Sequence, residues 1–113
     1  MTWARKRVAL GGGVTVVTVT RRRPKLLARC IKSVESQDYQ GTLKHLIVVD
    51  DCRETVAFLA GLNGNGAGRL HWVPAKRLRG ESSGPPRLAK LRNLAARLVD
   101  TAWTAFLDDD NEY

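Results

Sequence analysis

A chain of 113 residues has room for one small domain and no more. Its 43% hydrophobic and 27% charged residues are the balance of a folded chain rather than a disordered or fibrous one, and no apolar run approaches the ~20 residues that span a bilayer. The 19 Lys and Arg against 11 Asp and Glu give a formal charge of +8, which favours polyanionic partners: nucleic acid, acidic lipid headgroups or the diphosphate of a nucleotide sugar.

Residues 1–13 read as a basic, Gly-rich tail. They superficially resemble a signal peptide, but Gly11, Gly12 and Gly13, then Thr15, Thr18 and Thr20, interrupt the apolar core such a signal needs. Val14 to Val19 is rich in β-branched side chains and predicts a buried strand. Arg21, Arg22 and Arg23 follow. Pro24 then suits the first turn of a helix, where its missing N–H is not needed. Leu27, Cys30, Ile31 and Val34 recur at helical spacing.

Gly41 and Thr42 turn the chain into a second strand, Leu46 to Val49, which runs into Asp50-Asp51. An unbroken apolar run suggests a strand covered on both faces, hence parallel pairing. A second helix carries Val56, Phe58 and Leu59, and residues 61–68 are a Gly-rich turn or loop. Leu70 to Val73 is a short third strand, followed by a polar loop with Lys76, Arg77 and Arg79. Pro86 and Arg87 open a third helix whose Leu88, Leu91, Ala95, Leu98 and Val99 fit a 3.6-residue period. Trp103 to Leu107 is the fourth strand and ends in Asp108-Asp109-Asp110. Strand and helix alternate, so the expected class is α/β with a mostly parallel, Rossmann-like sheet of about four strands over residues 14–113. Functional groups in such a sheet gather at the carboxyl ends of the strands.

Two such ends are acidic. Asp108-Asp109-Asp110 crowds like charge at one strand end, and a bound cation relieves that crowding. Mg²⁺ or Mn²⁺ takes one or two carboxylates plus the oxygens of a substrate phosphate. The other reading is a solvated acidic loop. Asp50-Asp51 ends a second strand, where a carboxylate can accept a hydrogen bond from the imide of a uracil or thymine ring; the alternative is a helix N-cap or turn aspartate. Cys30 and Cys52 with His45 and His71 make no convincing four-ligand zinc set, and two buried thiols are expected rather than a disulfide. His45 and His71 read as strand-flanking residues. The glycine runs precede strands instead of following them, which is the wrong order for a dinucleotide fingerprint.

Thr20-Arg-Arg-Arg-Pro24, Cys30-Ile-Lys-Ser-Val34, Gln37, Ile47-Val-Val-Asp-Asp51, Arg92-Asn93 and Asp108-Asp109-Asp110 after Phe106-Leu107 together resemble the opening of inverting family 2 glycosyltransferases of the GT-A type. The resemblance covers about Val14 to Tyr113. It implies that Thr20 and Asp51 contact the nucleotide base, that Asp108 and Asp109 lie near the ribose and donor sugar, and that Asp110, with Asp108, binds Mn²⁺ or Mg²⁺. Thr18, Arg22, Asp50 and Arg92 belong to the nucleotide-sugar-binding set on the same grounds. The implied donor is a UDP-, dTDP- or GDP-linked sugar. Arg21 and Arg22 stand where the family often has an aromatic or small residue, so an arginine plane would replace base stacking.

The family's acceptor-binding half, with its general base, lies beyond the last residue here. The expectation is therefore a donor-binding half that needs a second polypeptide or self-association, with the fourth strand as an exposed sheet edge that invites pairing. A cytoplasmic location with peripheral membrane contact fits the basic balance. Two other readings compete. A small basic nucleic-acid-binding module would use Arg5-Lys6-Arg7, Arg21 to Arg23 and the Lys76 to Arg79 loop on phosphates, but acidic strand ends repel them. A receiver-like domain built on Asp50-Asp51 lacks the later Thr and Lys strand ends.

Overall fold

The computed structural model describes residues 2–5 by their backbone, and residues 13–37, 41–62, 69–77, 80 and 84–110. In chain order the elements are β1 (Thr2–Arg5), β2 (Gly13–Thr20), α1 (Pro24–Glu35), β3 (Thr42–Asp50), α2 (Arg53–Gly61), β4 (Leu70–Ala75), α3 (Pro85–Leu98) and β5 (Trp103–Phe106). The sheet order is β1-β5-β2-β3-β4. β2 pairs in parallel with both β3 and β5, and β3 in parallel with β4. The expected α/β class with a mostly parallel sheet is the observed one.

Burial explains why these segments are strands. All of β2 except Val19 is buried, so its β-branched side chains are covered on both faces. On one face Leu27, Cys30, Ile31 and Val34 of α1, and Leu59 of α2, meet Ile47 and Val49 of β3 and Val14 and Val16 of β2. On the other, Leu91 and Ala95 of α3 with Val99 pack on Val17, Leu46 and Val48. The result is a three-layer sandwich. Gly13 fits a close approach where β2 begins: a Cβ there would lie 3.1 Å from Thr101 Cγ2 and 3.2 Å from Thr42 Cβ, tight enough that these side chains would have to give way.

Four expectations change. Residues 2–5 are not tail but a strand, running antiparallel to β5 with Thr2 opposite Phe106 and Arg5 opposite Trp103. The fourth predicted strand, β5, is therefore not an edge; β1 takes up its outer backbone groups and leaves β1 and β4 at the edges. Thr-Trp-Ala-Arg is too short to announce a strand by alternation, and long-range pairing supplies what local pattern does not. On α3, Leu98 is exposed while Arg87 is buried with Leu91 and Ala95. An arginine holds the apolar-stripe position because a carboxylate waits beneath it.

His45 does not flank a strand but lies inside β3, 2% exposed, with Nε2 2.8 Å from the Thr18 hydroxyl. Thr18 Oγ1 also lies 3.6 Å from Cys30 Sγ. Burial lowers the His45 pKa from 6.5 to about 4. Between those values the unfolded chain binds a proton that the folded one refuses. The native state is thus undisturbed above pH 6.5 and loses stability as pH falls towards 4, by up to about 3 kcal/mol. Urea unfolding of wild type and His45→Gln at pH 7, 6, 5 and 4 tests this; the variant is expected to lose most of that slope, and parallel profiles would contradict it.

Candidate functional site

The chain builds β2, β3 and β4 outwards in one direction, then returns to place β5 on the other side of β2. That reversal opens a crevice between the carboxyl ends of β2 and β5, the place where open α/β sheets bind ligands. Thr20 is the last residue of β2, and Asp109 lies three residues beyond β5. Their side chains meet across the crevice: Thr20 Oγ1 donates to Asp109 Oδ2 at 2.9 Å, and both residues are buried. Arg23, at the entry to α1, donates to Asp109 Oδ1 at 3.3 Å and comes within 3.9 Å of Asp110 Oδ2.

The three consecutive aspartates therefore part company. Asp109 turns inward and is held from both sides, whereas the side chains of Asp108 and Asp110 are 59% and 53% exposed. Asp108 accepts a hydrogen bond from Arg92 at 3.3 Å, and the Arg92 guanidinium lies 5.6 Å over the Phe106 ring. Among the described residues no three His, Cys, Asp or Glu side chains gather closely enough to hold a metal ion by themselves.

On the other side of β2, the end of β3 carries the second acidic pair. Asp50 is buried, with Oδ1 accepting from Arg87 Nε at 3.1 Å and Oδ2 from an Arg77 terminal nitrogen at 3.3 Å. Both oxygens are engaged inside the fold. Asp51 is exposed and adopts a left-handed backbone, φ 41°, which aspartate tolerates better than most residues. Its N–H is shared between Val49 O and Ala75 O, each at 3.0 Å, and its Oδ2 accepts from the Arg77 N–H at 3.1 Å. Asp51 and Asp110 thus stand at the same end of the sheet, beyond the carboxyl ends of the two strands that flank β2.

Cys52 begins α2 beside Asp51. The Thr55 hydroxyl donates to its Sγ at 3.2 Å, and this bond, with backbone N–H groups including that of Arg22, holds the thiol below its ordinary pKa against the opposing effect of burial. The Arg22 contact ties the β2–α1 turn to the β3–α2 turn. Arg22 itself is exposed with φ 55°. Cys30 and Cys52 are both buried free thiols.

Of the residues singled out from sequence, Thr20, Asp108, Asp109 and Asp110 gather at the carboxyl ends of β2 and β5 with Arg92 beside them, while Asp51 stands beyond the end of β3 with its carboxylate bonded to the Arg77 N–H that follows β4. Thr18 does not: it is fully buried, and its hydroxyl is taken up by His45 and Cys30 in the core. Asp50 is likewise an internal anchor, because both its oxygens already hold arginines. Arg79 lies outside the described residues. Sequence reasoning missed Arg23 and Arg87. Arg87 did leave a signal, standing four residues before Leu91 and eight before Ala95 on the apolar stripe; Arg23 was hidden in a run of three arginines. Beside Arg87, an open groove of about 680 Å³ runs along α3, lined by the cations Lys76, Lys90 and Arg97 over Ala75, Leu91 and Leu94.

The model of glycosyl transferase family 2 matches residues 15–113. The chain belongs to this family. Two crystal structures of S. aureus TarS share the fold. One, of residues 1–349, superposes with a TM-score of 0.66 at 20% identity, covering 88% of this chain and 28% of that one. The other gives 0.67 at 22% identity, covering 88% and 17%. This chain therefore spans about a quarter or less of the solved proteins it matches. No curated protein matches it. Within the family 2 match fall both acidic strand ends and every arginine that pairs with them.

The Thr20–Asp109 bond closes the floor of the crevice and is buried on both sides. Thr20→Val keeps the shape of the side chain but leaves a buried carboxylate one donor short, so a loss of about 1–3 kcal/mol in urea unfolding is expected. Thr18→Val is the comparison. It removes a hydroxyl whose partners are His45 and Cys30 rather than a carboxylate, so its cost is expected to be smaller; equal costs would count against a special role for the Thr20–Asp109 contact.

Proposed function

We propose that this chain is the donor-binding portion of a metal-dependent glycosyltransferase that moves a sugar from a nucleoside diphosphate sugar to an acceptor hydroxyl with inversion. The family assignment carries the glycosyltransferase part. The observation that carries the donor-binding part is the division of labour at the β2–β5 crevice: Asp109 is fixed inward by Thr20 and Arg23, while Asp108 and Asp110 are left outward on either side of it.

Members of this family commonly depend on a divalent metal. Asp108 and Asp110 offer hard carboxylate oxygens and are exposed, and two carboxylates are what Mg²⁺ or Mn²⁺ takes from a protein when phosphate oxygens complete its shell. The donor set fits. Bound there, the cation would neutralise charge on the diphosphate as it leaves. Arg23, half exposed between Asp109 and Asp110, adds positive charge at the same place. Arg92 holds Asp108 in position from α3.

In this reading the exposed Asp51 carboxylate, just beyond the end of β3, contacts the base. As a carboxylate it is an acceptor, suited to the ring N–H that uracil and thymine carry at N3 and guanine at N1; cytosine and adenine have no ring N–H on that edge and offer only their exocyclic amino groups. Arg22 supplies an exposed guanidinium plane for the base. In the transfer itself the acceptor oxygen bonds to the anomeric carbon from the face opposite the diphosphate, whose bond to that carbon breaks. None of the described residues is assigned as the base that takes the acceptor's proton. Self-association, a second polypeptide and contact with a membrane surface remain compatible with this role; no helix among the described residues is long and apolar enough to cross a membrane.

A nucleic-acid-binding role is less well supported. Arg23, Arg77, Arg87 and Arg92 each hold an aspartate, so four of the cations at the carboxyl ends of the strands are already balanced.

Calorimetric titration with UDP, dTDP and GDP, each with and without Mn²⁺, tests the proposal. At least one is expected to bind at least tenfold more tightly with Mn²⁺ (about 1.4 kcal/mol), and CDP and ADP more weakly than it. Asp110→Asn should abolish the metal increment without lowering the melting temperature, since Asp110 is exposed and its nearest arginine nitrogen is 3.9 Å away. A folded sample that binds none of the three in a metal-dependent manner would overturn the reading.

A further inference from the structure

Arg87 is an arginine in the core. It is 4% exposed and sits on the α3 face that packs on the sheet. Burying a guanidinium is costly unless each of its donors finds a partner, and removing one member of such a pair leaves the other stranded. Two of its bonds fall on one seam. Nε donates to Asp50 Oδ1 at 3.1 Å, and a terminal nitrogen donates to the carbonyl oxygen of Ala75 at 3.2 Å. Asp50 and Ala75 are the last paired residues of β3 and β4. Arg87 therefore clamps the two strands together at the point where Asp51 leaves the sheet.

The same atoms hold Asp51. Ala75 O, the acceptor for Arg87, also accepts the Asp51 N–H at 3.0 Å. Asp50, whose one oxygen Arg87 holds, holds the Arg77 side chain with the other, and the Arg77 N–H donates to Asp51 Oδ2 at 3.1 Å. Two routes thus run from Arg87 to Asp51, one to its backbone and one to its carboxylate. The Asp51 backbone is left-handed, a conformation that a non-glycine residue keeps only when its surroundings impose it.

We propose that Arg87 is a positioning residue: through Asp50, Ala75 and Arg77 it fixes the turn and the carboxylate of Asp51, and so sets how sharply the site distinguishes nucleotide bases. The proposal rests on the reading of Asp51 as the base-contacting group. Arg87 touches no ligand. Its effect is on discrimination between bases, not on the metal and diphosphate end of the site, which Asp108, Asp110 and Arg23 form on the far side of β2.

The test compares wild type, Arg87→Met and Arg87→Lys as full chains with Mn²⁺, using UDP, dTDP, GDP, CDP and inorganic pyrophosphate as probes. The readout is the ratio of affinity for the tightest of UDP, dTDP and GDP to affinity for CDP. Arg87→Met is expected to lower that ratio at least tenfold while pyrophosphate affinity stays within twofold. Arg87→Lys keeps the charge but cannot reach Asp50 and Ala75 O together, and should fall between the two. An unchanged ratio in a folded variant overturns the proposal, as does an equal loss for every probe, which marks a purely structural role. If Arg87→Met does not fold, Arg87→Lys decides by the same criteria. Amide hydrogen exchange provides a ligand-independent measurement. In the variants the Asp51 and Arg77 N–H groups are expected to exchange at least tenfold faster, with Val48 unchanged, and unchanged protection at Asp51 overturns the positioning role. A wild type that binds no nucleotide but whose variants do lose protection at Asp51 would sink the base-reading role and leave the clamp standing.

Discussion

Five aspartates, Asp50, Asp51, Asp108, Asp109 and Asp110, stand at the carboxyl end of one sheet, and arginines interposed between them make that arrangement stable. Arg77 and Arg87 flank Asp50, Arg23 lies against Asp109 and reaches towards Asp110, and Arg92 holds Asp108. Parallel strands bring their carboxyl ends to one side, so the topology forces these side chains together whatever their charge. Without cations between them, the repulsion would act on the very strand ends that shape the crevice.

The pairs are not equivalent. Arg87 and Asp50 are both buried, in a low-dielectric setting where each is costly without the other. Arg92–Asp108 is exposed on both sides and contributes little to folding. The Arg23–Asp109 pair is mixed, with a buried carboxylate and a half-exposed guanidinium. This gradient from an internal clamp to a solvated rim separates the residues that set the shape of the site from those left to meet a ligand. Apart from these pairs, Lys76, Lys90 and Arg97 line the groove beside α3.

The fold was largely legible from local pattern. Val14 to Val19 and Leu46 to Val49 could hardly be anything but buried strands, and the α1 stripe of Leu27, Cys30, Ile31 and Val34 is the set the helix buries. The strand at Thr2–Arg5 was not legible, because four residues carry too little periodicity and its partner lies about a hundred residues away. In the site, the acidic strand ends were visible, but their roles were not. Thr18 and Thr20 stand on the same face of β2 with identical chemistry; one ends beneath α1 against His45 and the other at the crevice against Asp109.

The sequence alone determined the alternation of strands and helices, the placing of carboxylates just beyond apolar strands, and the family to which that order belongs, since these follow from backbone preference and side-chain period within short windows. Only the tertiary structure decided which carboxylates are spent and which are left open. Asp109 is claimed by a threonine 89 residues earlier and Asp50 by an arginine 37 residues later. A side chain's charge is written in the sequence, but the partner that neutralises it is fixed only when distant strand ends are packed side by side.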